Sequence, residues 1–215
     1  MATWEPDFDL SGKAGATIRE RAQSRHFSRS QFLFHTGDPS DGVFLILDGC
    51  VAVRVGTPSG AVATIGVVAG GECLGEQSLL VAGGRRSATA VALSEVDALY
   101  LSRVVFSELR RDDASINEFL MSVLDHRLRR VTERLVEALF TPAPERVISR
   151  ILELRVQFGE RTISLTQDEL ASMAGTTRPT VNRALRRAAA AGALTLGRSS
   201  ITVVDSGLLA ALPSP

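Results

Sequence analysis

Between residues 31 and 101, glycine-bearing turns cut the chain into short apolar runs that suit strands but are too brief for helices of ordinary length. The runs are Gln31–His35, Val43–Leu47, Val51–Val55, Val62–Val67, Ser87–Leu93 and Ala98–Leu101. The turns between them include Gly37-Asp38-Pro39, Asp41-Gly42, Asp48-Gly49, Pro58-Ser59-Gly60 and Gly70-Gly71. Strands this short and closely spaced predict one antiparallel β domain, a sandwich or barrel. Ahead of them, the alanine- and arginine-rich segment from Gly15 to Arg25 predicts a short helix.

The period changes after Ser102, which opens a helical segment. From Asp113 to Phe140 the apolar residues Ile116, Leu120, Leu124, Leu128, Val131, Leu135 and Ala138 follow at steps of 4, 4, 4, 3, 4 and 3. That spacing lies near the period of a coiled-coil seam, on a helix about 40 Å long. A helix packed only on its own β domain could use such a stripe. The length and the flanking Arg127, Arg129, Arg130, Glu133 and Arg134 favour a two-fold dimer helix. Thr141-Pro142-Ala143-Pro144 ends it, since a proline disfavours α geometry in the residue before it. A further helix, Glu145 to Phe158, follows. The expected divisions are residues 1–112 as a β domain, 113–140 as the dimer helix, 141–144 as a hinge and 145–215 as a C-terminal domain.

Net charge is zero over the 215 residues, with 24 basic and 24 acidic side chains. Residues 142–215 nevertheless hold nine arginines against six acids, leaving −3 on the remainder. From Leu170 to Val204 there are five arginines and no acid. Such a cationic stretch in a neutral protein points to a polyanion partner.

The same stretch has a recognisable order of parts. Thr166-Gln167-Asp168-Glu169 is a capping box for a short helix, Gln167 to Ala174. Gly175 supplies a turn, Thr177 caps a second helix from Arg178 to about Ala191, and Gly192 ends it. Ala171 is small where the helices would cross and Val181 apolar where they would pack. Ala193–Leu196 and Ser200–Val204 then form a hairpin around Gly197-Arg198-Ser199. Helix, glycine turn, helix and hairpin make a winged helix-turn-helix. The start of the second helix would enter a major groove, which makes Thr177, Arg178, Thr180 and Asn182 the candidate readers of bases or phosphates. Arg178 has the forked donors that match guanine O6 and N7. Arg183 could read a base or hold a phosphate, and Arg186, Arg187 and Arg198 are expected to grip phosphates.

Other chemistries find little support. His26, His35 and His126 fall in different elements, and two cysteines, Cys50 and Cys73, cannot build a cluster. No metal, haem or iron–sulfur cluster is expected, no nucleophilic triad motif is present, and an enzyme is not predicted. Cys73 is expected to act as a small apolar side chain. No run of about 18 apolar residues suggests a membrane span. The acidic start, Met1 to Asp7, does not resemble a secretory signal. A cytoplasmic protein without membrane partners is expected.

A small β-roll, a long dimer helix, a proline-marked hinge and a winged helix-turn-helix together resemble the Crp/Fnr family of bacterial transcription regulators, from about residue 25 to 205. The fold class implied is α+β, with a cyclic-nucleotide-binding-type β-roll at the N-terminus. Cys73-Leu74-Gly75-Glu76-Gln77-Ser78-Leu79-Leu80 followed by Arg86-Ser87-Ala88-Thr89-Ala90 is similar to that family's phosphate-binding cassette. The resemblance implies a cyclic nucleotide effector, cyclic AMP before cyclic GMP. Arg86 would pair with the two exocyclic phosphate oxygens, Ser87 would donate its hydroxyl, and Glu76 would accept from the ribose 2′-OH. Gly75 would let the backbone approach the ligand, and Thr132 would meet the base edge.

Three positions depart from the pattern of the family's cyclic-AMP receptor. Val131-Thr132 replaces a pair of hydroxyl residues, Gln77 replaces a residue that is usually apolar, and Pro179 replaces a glutamate on the reading helix. The partners implied are double-stranded DNA, a second copy of the chain and RNA polymerase. Two alternatives stand beside this reading: a cyclic-nucleotide-binding module acting through protein contacts, and a regulator of the same fold with another effector or none.

Overall fold

The computed structural model describes residues 12–57, 60–80, 83–159 and 162–212. The expected N-terminal segment Met1–Asp7 and Pro58-Ser59 of one expected turn lie outside these residues. The elements in chain order are α1 (Lys13–Arg21), β1 (Gln23–Phe27), β2 (Phe32–Phe34), β3 (Gly42–Asp48), β4 (Cys50–Gly56), β5 (Val62–Ala69), β6 (Cys73–Leu74), α2 (Gln77–Leu80), β7 (Thr89–Ala92) and β8 (Val96–Ser102). After them come α3 (Arg103–Asp112), α4 (Ser115–Phe140), α5 (Ala143–Phe158), α6 (Gln167–Met173), α7 (Arg178–Ala190), β9 (Leu194–Gly197), β10 (Ser200–Val203) and α8 (Ser206–Ala210).

Two four-stranded sheets make the β-rich part, in the orders β1-β8-β3-β6 and β2-β7-β4-β5. All the registered pairs are antiparallel, with Leu45 opposite Leu99 and Val53 opposite Ala90. Glycine-centred turns set the strand lengths. At Gly49 (φ +90°) a Cβ would stand 2.1 Å from the Glu95 carbonyl, so only a bare α-carbon passes there. One core cluster joins Phe34, Phe44, Ile46, Val51, Val68 and Leu74 between the sheets.

The expected helix at Gly15–Arg25 is displaced. It runs from Lys13 to Arg21, and residues 23–27 instead pair with β8, Gln23 opposite Tyr100 and Phe27 opposite Val96. Strand pairing wins there because β8 otherwise presents an open edge. Ala143 and Pro144 lie inside the first turn of α5, which begins two residues before the expected Glu145, with Pro142 at the N-cap. Proline costs no hydrogen bond at that position.

By compactness the described residues fall into two units, one within 12–55 and 68–131, the other within 56–67 and 132–212. In the first, the N-terminal half of α4 packs Ile116, Leu120 and Val123 against Val43, Leu45, Leu101, Phe106 and Leu109. Beyond it the expected apolar stripe comes to the surface: Leu128, Val131 and Leu135 are more than half exposed, and Ala138 is exposed as well. The regular step in the sequence thus serves two environments. In the second unit Arg150 is buried and donates to both Glu137 and Glu153, while Arg134 donates to Glu153 (2.8 Å) and to the Ile65 carbonyl (3.2 Å). These bonds tie the end of α4, α5 and the β5 segment together across Thr141-Pro142.

Candidate functional sites: a buried arginine in the β-roll and a helix-turn-helix

Gly75 adopts φ +84°, a left-handed conformation that glycine enters without steric cost. Its missing side chain also makes room. A Cβ at this position would stand 2.3 Å from Arg86 Nη1. Arg86 is 5% exposed and lies over the Phe34 ring, with the guanidinium carbon 4.3 Å from the ring centroid. Its Nη1 donates to the Gly75 carbonyl (3.4 Å) and its Nη2 to Asp41 (3.1 Å). Its Nε is buried with no acceptor among the described residues. Burial lowers the Arg86 pKa from the ordinary value, and the adjacent Asp41 carboxylate opposes that shift. The same Asp41 carboxylate helps burial to raise the Tyr100 pKa.

Glu76 is buried as well, but its ionic partner is Arg127 on α4, 3.5 Å away, rather than Arg86. Arg127 also donates to the Cys73 carbonyl (2.9 Å). One turn further along α4, Arg130 pairs with Glu72, which is fully buried and accepts from the Ala69 N–H at 2.6 Å. Two arginines from one helix thereby hold the turn that leads into Gly75. Ser87 is exposed at the edge of the cluster and donates to Gln77 (3.2 Å). Gly75, Glu76, Arg86 and Ser87 thus lie in one part of the fold. Thr132 lies on α4 in the other compact unit and is exposed. Asp41 and Arg127 were not foreseen as site residues. Asp41 read only as part of a turn, and Arg127 as one of several charges on a helix.

The second site matches its expected order of parts. The capping box is complete: Thr166 Oγ1 accepts from the Glu169 N–H, and Glu169 accepts from the Thr166 N–H (2.8 Å). Gly175 (φ +58°) turns the chain between α6 and α7, and Gly192 (φ +79°) follows the end of α7. Leu170, Ala171, Val181 and Leu185 are buried at the packing of the two helices. The wing pairs Ser200 with Gly197 and Val203 with Leu194, closing through Arg198 and Ser199. A cavity of about 210 Å³ lies between the start of α6, α7 and the wing, lined in part by Asp168, Arg178, Leu185 and Ser200.

The residues expected to read DNA are not equivalent in their surroundings. Thr177 occupies the N-cap but makes no side-chain cap bond: Pro179 at the second helical position offers no N–H, the N–H of Thr180 at the third is not taken up, and the Thr177 hydroxyl meets that of Thr180 at 3.2 Å. Asn182 is part-buried and donates to Gln167 (3.2 Å). Arg178 is exposed with Asp168 at 3.4 Å, and Arg183 donates to Thr180 at 3.4 Å. Arg183, Arg186 and Arg198 are exposed and Arg187 partly so, and none of the four has a carboxylate partner among the described residues.

Among the described residues no three His, Cys, Asp or Glu side chains group as metal ligands, and no helix is long and apolar enough to cross a membrane.

Residues 24–113 match the cyclic nucleotide-binding domain, and residues 145–212 match the Crp-like helix-turn-helix domain. The chain is 32% identical over 202 residues to the CRP-like cAMP-activated global transcriptional regulator of Mycobacterium tuberculosis, covering 91% of this chain and 90% of that protein. It is 32% identical over 187 residues to the Cyclic AMP receptor protein of Thermus thermophilus, covering 87% and 86%. The fold resembles that of the c-di-GMP responsive global regulator CLP of Xanthomonas campestris, with a TM-score of 0.72, 17% identity and coverage of 88% and 97%.

Proposed function

Because the chain belongs to the Crp/Fnr family of DNA-binding transcription regulators, with a cyclic-nucleotide-binding domain and a Crp-like helix-turn-helix, we propose that it acts in the cytoplasm as a homodimer gated by a cyclic nucleotide, cyclic AMP before cyclic GMP. The observation that carries the effector reading is Arg86, a buried guanidinium with an unsatisfied Nε beside the bare backbone of Gly75. A buried cation with spare donors is costly unless an anion completes it, and a cyclic phosphate offers two oxygens at the matching spacing. In this reading Gly75, Arg86 and Ser87 hold the phosphate, Glu76 accepts from the ribose and Thr132 meets the base.

The effector domain is assigned to residues 1–112, the dimer helix to 113–140, the hinge to 141–144 and the DNA-binding domain to 145–215. The exposed Leu128, Val131, Leu135 and Ala138 would form the seam with a second copy. Thr177, Arg178, Thr180, Asn182 and Arg183 would face the major groove, with Arg186, Arg187 and Arg198 on phosphates and RNA polymerase as a further partner. The effector shifts the equilibrium between two arrangements of the reading helices by its differential affinity for them.

Calorimetric titration with cyclic AMP and cyclic GMP tests the effector, with Arg86→Ala as the control. Saturable heat from the wild type, lost in the variant, is the expected result. No heat with either nucleotide, together with no thermal stabilisation, overturns the effector assignment.

A further inference from the structure

Arg178 stands out among the arginines of the reading helix because, among the described residues, it alone has a carboxylate beside it. From Leu170 to Val204 the sequence has no acid, and the two acids just before that stretch, Asp168 and Glu169, have separate duties. Glu169 is consumed by the capping box. Asp168 points outward from the first turn of α6, is about two-thirds exposed, and brings Oδ2 to 3.4 Å from Arg178 Nη1. Arg183, Arg186 and Arg198 are exposed without such a partner among the described residues.

An acid at the edge of a surface meant for a polyanion weakens attraction to phosphates, so a positive role must come through what it contacts. The contact runs through Nη1 of the guanidinium, and Nη2 and Nε remain available. A guanidinium carries five N–H donors, guanine O6 and N7 take two, and Nη1 can keep its ion pair with Asp168 meanwhile. Arg178 also lines the cavity between α6, α7 and the wing, so without a partner it has space to swing toward a phosphate instead.

We infer that Asp168 is a positioning residue for sequence reading: it steadies Arg178 for a guanine edge and, as an anion, repels DNA backbones that offer Arg178 no such edge. The inference rests on the proposed DNA-facing role of Arg178. It assigns to the helix before the reading helix a share in base discrimination that its length and packing alone do not suggest.

The test uses the full-length protein with saturating cyclic AMP and a duplex library of randomised centre, from which base preferences are read for wild type, Asp168→Asn and Arg178→Ala. Arg178→Ala should flatten the preference at one base pair in each half-site. Asp168→Asn should reduce a preference of about tenfold at that same base pair to about threefold, leaving the other positions unchanged. Its affinity for a duplex of unrelated sequence should rise, since one negative charge near the phosphates is gone. A defect of folding would flatten every position together, and Asp168 is exposed, so the variant reports on the contact.

If Arg178→Ala flattens the base pair and Asp168→Asn leaves it unchanged, the positioning role is overturned while the reading role of Arg178 stands. If Arg178→Ala changes no preference at all, both fall. Uniform flattening by Asp168→Asn also overturns the inference.

Discussion

Asp41 supplies the carboxylate that the buried guanidinium of Arg86 meets at 3.1 Å, and it does so from the surface, with 68% of its own side chain exposed. The pair thus joins a group that cannot leave to one that can. Asp41→Asn should lower stability by about 1–2 kcal/mol, because the arginine then loses a charged acceptor. Saturating cyclic AMP should return much of the loss by supplying its phosphate in place of the carboxylate. Thermal unfolding with and without the nucleotide measures both effects. Equal stabilisation of wild type and variant by the nucleotide would count against a shared site on Arg86.

Arg130 and Glu72 form the more deeply buried pair, with Glu72 wholly inaccessible. Arg130→Ala leaves a carboxylate in the interior without its cation and should cost about 3 kcal/mol in urea unfolding. Adding Glu72→Gln removes the stranded charge and keeps the bond from the Ala69 N–H, so the double variant should be more stable than Arg130→Ala alone. Additive losses would show that the pair's charge is unimportant.

Arg186 and Arg198 differ from Arg178 in what they should do to DNA binding. Each alanine variant should reduce the slope of log affinity against log salt by about one, and should do so for every sequence alike. Titrations of two unrelated duplexes over a salt series provide the comparison. A change confined to one duplex would mark the arginine as a base reader.

His26 lies exposed between Asp97 (Nδ1, 2.9 Å) and Glu95 (Nε2, 3.0 Å), and the two carboxylates raise its pKa from 6.5, Asp97 more than Glu95. A raised pKa in the folded state means that the pairing stabilises the protein fully below the ordinary value. That contribution is lost as pH climbs through the raised value. His26→Gln should therefore lower the melting temperature at acidic pH and leave it nearly unchanged in mildly alkaline buffer. A difference that grows with pH would reverse the assignment.

The parts legible in the sequence are those whose signals are local. The capping box at Thr166 needs only a hydroxyl and a carboxylate three residues apart, and glycine turns mark the ends of β3, β4 and β5 directly. β1 left no such signal, since four of its five residues are exposed and no alternation reveals a buried face. Its existence depends on β8, more than seventy residues later. Asp41 and Arg127 escaped notice for the same reason: each becomes part of a site only through a contact with a distant segment. Thr177 stands at the expected cap position, but its hydroxyl turns to that of Thr180 and takes up neither cap donor, of which Pro179 removes one. The stripe on α4 is legible as apolar from its step, but periodicity does not say which turns of a helix its own domain already covers.

Gly75 sets a limit on how this segment can vary. Its left-handed backbone strains any residue with a side chain, and a methyl would begin 2.3 Å from the guanidinium Nη1, so even alanine would displace Arg86 from its place. Neighbouring Gln77 and Ser87 are exposed and can change while the chain still folds. Diversification of this domain toward other ligands is therefore channelled: new specificity has to arise around Gly75 and Arg86, by altering what surrounds a fixed gap.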